Sequence, residues 1–298
     1  MTRGATPRRP EGWTAPGPRP RAPEGLVPAN DEDLSFLTGD FRVFQKRRGH
    51  RWSLDDLVTA WVARRELLAS PPREALDLGC GIASVALMVA WSFPEARVTG
   101  IEAQAVSLDL ARRSLVWNGV DDRVTLHHGD LRDASMLPDD ARFDLVTGTP
   151  PYFLADAIVE SDVVQRGPCR VEHRGGPEDY ARAAALRLRE GGRFVMCASM
   201  LQRERVREGA RAAGLDTLRC VEVVPREGKE VLVLVTVMTP GEGRWPDAAE
   251  TLTVRTAEHQ WTEAFRAVRR DMGMPDAAPR GHAAGDAGLA PSRDRSGS

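Results

Sequence analysis

Two short stretches hold the residue types that chemistry needs. Asp77-Leu78-Gly79-Cys80-Gly81-Ile82-Ala83 follows a short apolar run, and its glycines let backbone approach a flat, nucleotide-like ligand with no Cβ in the way. Thr147-Gly148-Thr149-Pro150-Pro151-Tyr152-Phe153 follows a later apolar run and is a rigid turn ending on aromatic rings. A planar amino or amide nitrogen is a poor nucleophile because its lone pair is delocalised. Acceptors aimed at both of its N–H bonds help it pyramidalise towards an electrophilic carbon. Thr149 and Pro150 offer a hydroxyl and a backbone carbonyl for this, Pro151 stiffens the turn, and Tyr152 offers a face for a planar substrate and a nearby cation. No strong base is needed, because the ammonium formed loses its proton readily. The plain alternative is a proline-stiffened loop.

Carboxylates recur where such a ligand would want them. Asp77 can reach a cationic end of the ligand, directly or through water. Glu102 ends the second strand, about 20 residues after the glycine turn, where it can accept both ribose hydroxyls. Asp130, in His128-Gly129-Asp130-Leu131, is placed to accept from an adenine amino group. Each alone reads as a loop carboxylate. Their succession at the ends of consecutive strands, before the Pro-Pro turn, points to S-adenosylmethionine, which unites adenosyl group, sulfonium and methyl. Ala83 takes the third glycine position of a dinucleotide fingerprint, an argument against NAD.

The elements that must position these residues alternate. Apolar residues at helical spacing mark a helix from Leu54 to Val62, with Ser53 and Asp56 as a capping-box start. Strands follow over 75–78, 98–101, 124–127 and 143–147, with helices over 84–91 and 105–117. Beyond the Pro-Pro turn come a helix over 177–189, a strand over 193–198, a helix over 202–213 and a hairpin of 218–224 with 230–238. A strand over 252–255 and a helix over 262–270 close the folded part. Strands alternating with helices imply an α/β, doubly wound, mostly parallel sheet. Ligands bind at the carboxyl ends of its strands.

Residues 1–30 are rich in Pro, Arg and Gly without apolar periodicity and read as a disordered tail; residues 275–298 read likewise. One domain over 31–274 lies between. The chain of 298 residues, 42% hydrophobic, is long enough for a sizeable core. No apolar run reaches the ~18–20 residues of a membrane span, and no signal-peptide core precedes the domain, so a cytoplasmic location without membrane contact is expected. Four cysteines lack Cys-x-x-Cys spacing and paired histidines, so no metal site is expected. His127-His128 reads as a strand end.

A net charge of −2 gives no general attraction to nucleic acid, and no DNA partner is expected. Basic residues cluster locally, however. The run Lys46-Arg47-Arg48-Gly49-His50-Arg51 precedes the first helix, and its Lys46, Arg47, Arg48 and Arg51 are the better candidates for substrate phosphates. Arg203, Arg205, Arg207 and Arg211 read as a solvated helix face. Lys46 and Lys229 are the only lysines, a bias that a GC-rich genome explains.

The run 77–83 with Glu102, Asp130 and Thr149-Pro150-Pro151-Tyr152 resembles the class I amino-methyltransferases with an Asn-Pro-Pro-Tyr motif. Phe41-Arg42-Val43-Phe44-Gln45, Asp55-Asp56-Leu57 and His259-Gln260-Trp261-Thr262-Glu263-Ala264-Phe265 resemble, more narrowly, the bacterial valine-tRNA adenine N6-methyltransferases. That resemblance covers about residues 36–272. It implies a Rossmann-like seven-stranded sheet with a closing antiparallel hairpin, a short N-terminal helical element and a C-terminal strand–helix extension. It also implies S-adenosylmethionine as cofactor, tRNA as partner and adenine N6 beside the anticodon as acceptor. Asp55 matches an acidic family position near the methionyl end of the cofactor, and equally suits the start of a helix. The family's Asn is Thr149 here, a shorter, branched acceptor. Three functions stay open: the tRNA reaction, methylation of a protein glutamine N5 or another RNA amino group, and a catalytically silent, cofactor-binding RNA-binding protein.

Overall fold

The computed structural model describes residues 23–152 and 175–274. The expected tails fall outside these residues apart from 23–30, as do Phe153 and Cys169. Two strands, β1 (Glu32–Phe36) and β2 (Arg42–Lys46), open the chain, followed by helix α1 (Leu54–Leu67). The alternating unit comprises β3 (Glu74–Leu78), α2 (Ser84–Ser92), β4 (Arg97–Glu102), α3 (Ala105–Asn118), β5 (Val124–His128) and β6 (Phe143–Gly148). Then come α4 (Pro177–Arg187), β7 (Leu188–Ser199), α5 (Arg203–Ala212), β8 (Leu215–Val224), β9 (Val233–Pro240), β10 (Glu250–Thr253) and α6 (Glu263–Asp271).

The main sheet has eight strands in the order β10-β8-β9-β7-β6-β3-β4-β5. Its strands pair in parallel except where β9 meets β7 and β8. Seven strands form the expected sheet with its closing antiparallel hairpin, and the C-terminal strand adds the eighth along β8. The chain runs outward from β3 through β4 to β5, then returns to the other side of β3 as β6. The crevice therefore opens at the carboxyl ends of β3 and β6. Helix α2 is buried along its whole length, which explains its unbroken apolar sequence with small Ser and Ala residues.

The antiparallel pair β1–β2 is a separate sheet that the sequence reading did not foresee. Its partners are distant in the chain. Asn118 of α3 accepts from the Arg42 N–H at 2.9 Å and donates to the Arg42 carbonyl at 2.6 Å, while Ser114 accepts from the Phe44 N–H at 2.9 Å. Helix side chains thus satisfy a strand edge that would otherwise be open. Arg113 adds a two-pronged contact to the nearly buried Glu32, 2.8 Å on each nitrogen. That guanidinium holds the Glu32 carboxyl down at about 2, against an opposing push from burial.

The far end of the domain returns to this region. Trp61 of α1 donates to Asp271 at 3.0 Å, Gly39 donates to the Gly273 carbonyl at 2.9 Å, and Thr38 donates to the Met272 carbonyl. Among the described residues, no helix is long and apolar enough to cross a membrane.

Candidate active site

The glycine turn between β3 and α2 has φ of +61° at Gly79, +56° at Gly81 and +64° at Ala83. The two glycines carry left-handed conformations at little cost, and Ala83 carries one as the residue before α2. A Cβ on Gly79 would collide with the Tyr180 hydroxyl, and one on Gly148 would meet the Tyr180 ring at 2.6 Å. Tyr180 of α4 therefore closes over both glycines.

Around this turn lies an open cleft of about 740 Å³, a volume that includes solvent at its mouth. Asp77, Gly79, Gly81, Glu102 and Asp130 line it together with Thr149 and Pro151. Consecutive strand ends have thus brought the expected ligand residues into one place. Glu102 is nearly buried; its two oxygens accept from the Gly81 N–H at 2.8 Å and the Gln104 N–H at 2.6 Å. Asp130 is gripped by its neighbour Arg132, with the side chains 2.6 Å apart at closest.

Asp77 is 3% exposed and accepts from the Ala86 N–H at 3.1 Å and the Thr147 hydroxyl at 2.8 Å. Burial nevertheless pushes its carboxyl up to about 7; the two hydrogen bonds pull it down, while repulsion from Asp56 and Glu102 adds to the rise. Asp56 also lines the cleft, and burial followed by repulsion from Asp55 pushes it up to about 8. The sequence reading gave Asp56 only a capping role. It does accept from the Ser53 N–H at 2.8 Å, and the signal for a second role is simply that the cap faces the glycine turn. Two adjoining buried carboxylates with no cation described beside them form an environment that favours a positive ligand group.

Asp55 sits elsewhere. It accepts from the Tyr152 hydroxyl at 2.6 Å and from the Ser53 hydroxyl, and it is not among the residues lining the cleft. Tyr152 packs its ring on the core and directs its hydroxyl at Asp55, which differs from the open stacking face expected. Burial first, then Asp55, raises the Tyr152 phenol well above its ordinary range. Gln202 donates to the Pro151 carbonyl at 3.0 Å, so the Pro-Pro turn is tied on two sides. Pro150 is buried at its centre.

The basic run before α1 divides. Lys46 pairs with Asp31 at 2.9 Å and Glu32 at 3.0 Å, and Arg51 pairs with Asp33 at 2.7 Å. Arg47 donates from Nε to the Glu32 carbonyl at 2.9 Å but is exposed, as is Arg48. Arg203 and Arg205 of α5 are half-buried and form ion pairs with Glu222 at 2.8 Å and Glu178 at 2.7 Å, whereas Arg207 and Arg211 are exposed. His50, Tyr180 and Gln104 also line the cleft; His50 stood out in the sequence only as a member of the basic run, and Tyr180 and Gln104 come from segments carrying no motif.

The methyltransferase domain model matches residues 75–159. A tRNA1(Val) (adenine(37)-N6)-methyltransferase of Porphyromonas gingivalis is 38% identical over 99 residues, 33% of this chain and 38% of that protein. A protein of that name from Pedobacter heparinus is 24% identical over 80% of this chain and 97% of its own length. A release factor glutamine methyltransferase of Rhodopirellula baltica is 31% identical, covering 42% of this chain and 44% of that protein. The chain thus spans less than half the length of the first relatives it matches. A crystal structure of a predicted O-methyltransferase from Agrobacterium tumefaciens superposes with a TM-score of 0.55 at 18% identity, over 74% of this chain and 98% of that one. The chain has the class I methyltransferase fold and, in sequence, resembles the bacterial valine-tRNA adenine N6-methyltransferases.

Proposed function

We propose that this protein is an S-adenosylmethionine-dependent N-methyltransferase that acts on adenine N6 of tRNA beside the anticodon, in the cytoplasm. The observation that carries the reading is the single cleft holding the glycine turn, Glu102, Asp130, Thr149 and Pro151. The residues suit the cofactor on chemical grounds. Asp56 and Asp77 are buried carboxylates whose ionised forms gain from a cationic ligand, and at Gly81 the nearest side-chain atom, His50 Nε2, stands 3.7 Å from where a Cβ would sit. When bound, the cofactor supplies an activated methyl group.

The protein's own residues bind and orient. Glu102 takes the ribose hydroxyls, Asp130 the adenine amino group, and Asp77 with Asp56 the cationic end. Thr149 and Pro150 accept from the substrate amino group and turn its lone pair towards the methyl carbon. Tyr152 and Asp55 fix that turn against α1. Arg47 and Arg48 contact RNA phosphate, while Lys46 and Arg51 hold the segment that bears them. One catalytic domain spans 31–274, flanked by tails.

The test is methyl incorporation from labelled cofactor into tRNA lacking the modification and into a release-factor or ribosomal-protein glutamine substrate. N6-methyladenosine recovered from the tRNA digest supports the reading. Label only in the protein fraction moves the acceptor to glutamine, and no label with retained cofactor binding leaves a silent binding protein. Thr149→Val should lose turnover, whereas Thr149→Asn should keep or raise it. Equal rates for all three would exclude Thr149 from the chemistry.

A further inference from the structure

Among the described residues lining the cleft, the ionisable groups of ordinary charge are four carboxylates, Asp56, Asp77, Glu102 and Asp130, and one basic side chain, His50. A ligand with an amino-acid end brings an ammonium and a carboxylate into this space. The ammonium has carboxylates to meet. The ligand's carboxylate would be repelled by the same groups and needs a donor among them.

His50 is placed for that task. Its Nε2 lies 3.7 Å, and its Cδ2 3.8 Å, from where a Cβ on Gly81 would sit, so the ring lies directly over the glycine turn. The segment carrying it is braced on both sides. Arg51 reaches back to Asp33 at 2.7 Å, and Trp52 bonds Gln45 at 3.3 Å through its N–H and Ser35 at 3.3 Å through its ring nitrogen. Gln45 is itself held by Asp33 at 2.9 Å. These anchors all lie on β1 and β2, the small sheet that shares no hydrogen-bonded edge with the main one. The hairpin thus presents an imidazole to the cleft.

We propose that His50 is a cofactor-binding residue that recognises the carboxylate of the ligand's amino-acid end. The inference rests on the S-adenosylmethionine reading above. It is tested with two ligands: S-adenosylhomocysteine, and its decarboxylated analogue S-adenosyl-3-thiopropylamine, which keeps the adenosyl group and the ammonium. Calorimetric titration of the full chain should show His50→Ala binding S-adenosylhomocysteine about 10–100-fold more weakly, the equivalent of a charge-assisted hydrogen bond. The unmutated protein should bind the decarboxylated analogue more weakly by a similar factor. His50→Ala should add less than about twofold to that second loss, because both changes remove one contact. His50→Gln, which keeps a donor, should lose less, and it carries the same cycle if the alanine variant does not fold. Losses that multiply, or full affinity for S-adenosylhomocysteine in both variants, would overturn the assignment. An unmutated protein that binds neither ligand would instead overturn the cofactor reading itself.

Discussion

Binding of a cationic cofactor should release protons near neutral pH. Asp77 is buried against β6 and α2, held at about 7, and faced by Asp56, Glu102 and the Thr147 hydroxyl. A positive group arriving beside it favours the ionised form, so binding draws on whatever fraction is already ionised. With an ordinary single titration at about 7, that fraction is ~0.1 at pH 6 and ~0.9 at pH 8. Affinity for S-adenosylmethionine should therefore rise about tenfold over this range, with close to one proton released per ligand at pH 6. Asp56, held at about 8, should extend the rise further into the alkaline side. Calorimetry in pairs of buffers with contrasting ionisation heats reads the proton count directly. 5′-Methylthioadenosine, which lacks both cationic groups, serves as the control and should show little dependence. Asp77→Asn should flatten the lower part of the curve. His50 faces the same cleft, so the series is repeated in His50→Gln, where the rise should persist. Affinity changing less than twofold from pH 6 to pH 8, with heats independent of buffer, would refute the reasoning.

Three further outcomes are expected. Tyr152→Phe removes the bond to Asp55 and should slow turnover about tenfold or more, in line with ~1.5–3 kcal/mol for a bond to a charged group; its affinity for S-adenosylhomocysteine should stay within twofold, and a large loss there would place Tyr152 in the cofactor site. Gly79→Ala should lower stability in denaturant titration by about 2 kcal/mol or more, from left-handed strain and the Tyr180 hydroxyl; adding Tyr180→Phe should recover the steric part, and no recovery would show that strain alone acts. Glu32, with its carboxyl lowered to about 2, should contribute stability above pH ~4.5 that fades as pH falls through the folded value; Glu32→Gln should abolish most of this acid dependence, on the order of 2 kcal/mol, and an unchanged acid unfolding profile would count against the Arg113 contact.

Much of the main sheet could be read from the chain because its signals are local. The apolar run before Asp77 and the glycines after it announce a strand and a turn, and Glu102, Asp130 and Thr149 follow at comparable strand ends. The α4 helix shows the limit of such reading. It ends at Arg187, and β7 begins at once with Leu188, where the sequence pattern had carried the helix to 189. The strand wins because Leu188 pairs with Phe143 across the sheet. The β1–β2 hairpin was not legible for the same kind of reason. Its order depends on Asn118, Ser114 and Arg113, which arrive from α3, and local pattern carries no trace of them. Tyr180 was missed because position alone makes it part of the cleft, and His50 stood out only as one member of a basic run. Asp55 and Asp56 were readable as a pair of helix-start acids, but which one faces the cleft depends on the helix phase.

The meeting of residues 38–39 with 272–273 has a consequence during synthesis. Thr38 and Met272 are 234 positions apart, and Trp61 and Asp271 are 210 apart. At ~5–20 residues per second, the ribosome needs about 10–50 s to supply the second partner after the first has emerged. The central strands and helices can assemble in that interval, but the hairpin's tip, Trp61 and the buried Trp91 lack part of their surroundings until α6 arrives. The His50 segment hangs from that same hairpin. The nascent chain should therefore gain its sheet well before a finished cofactor site, and a ribosome stalled short of Asp271 would carry a protein that is largely folded but unable to grip its ligand fully.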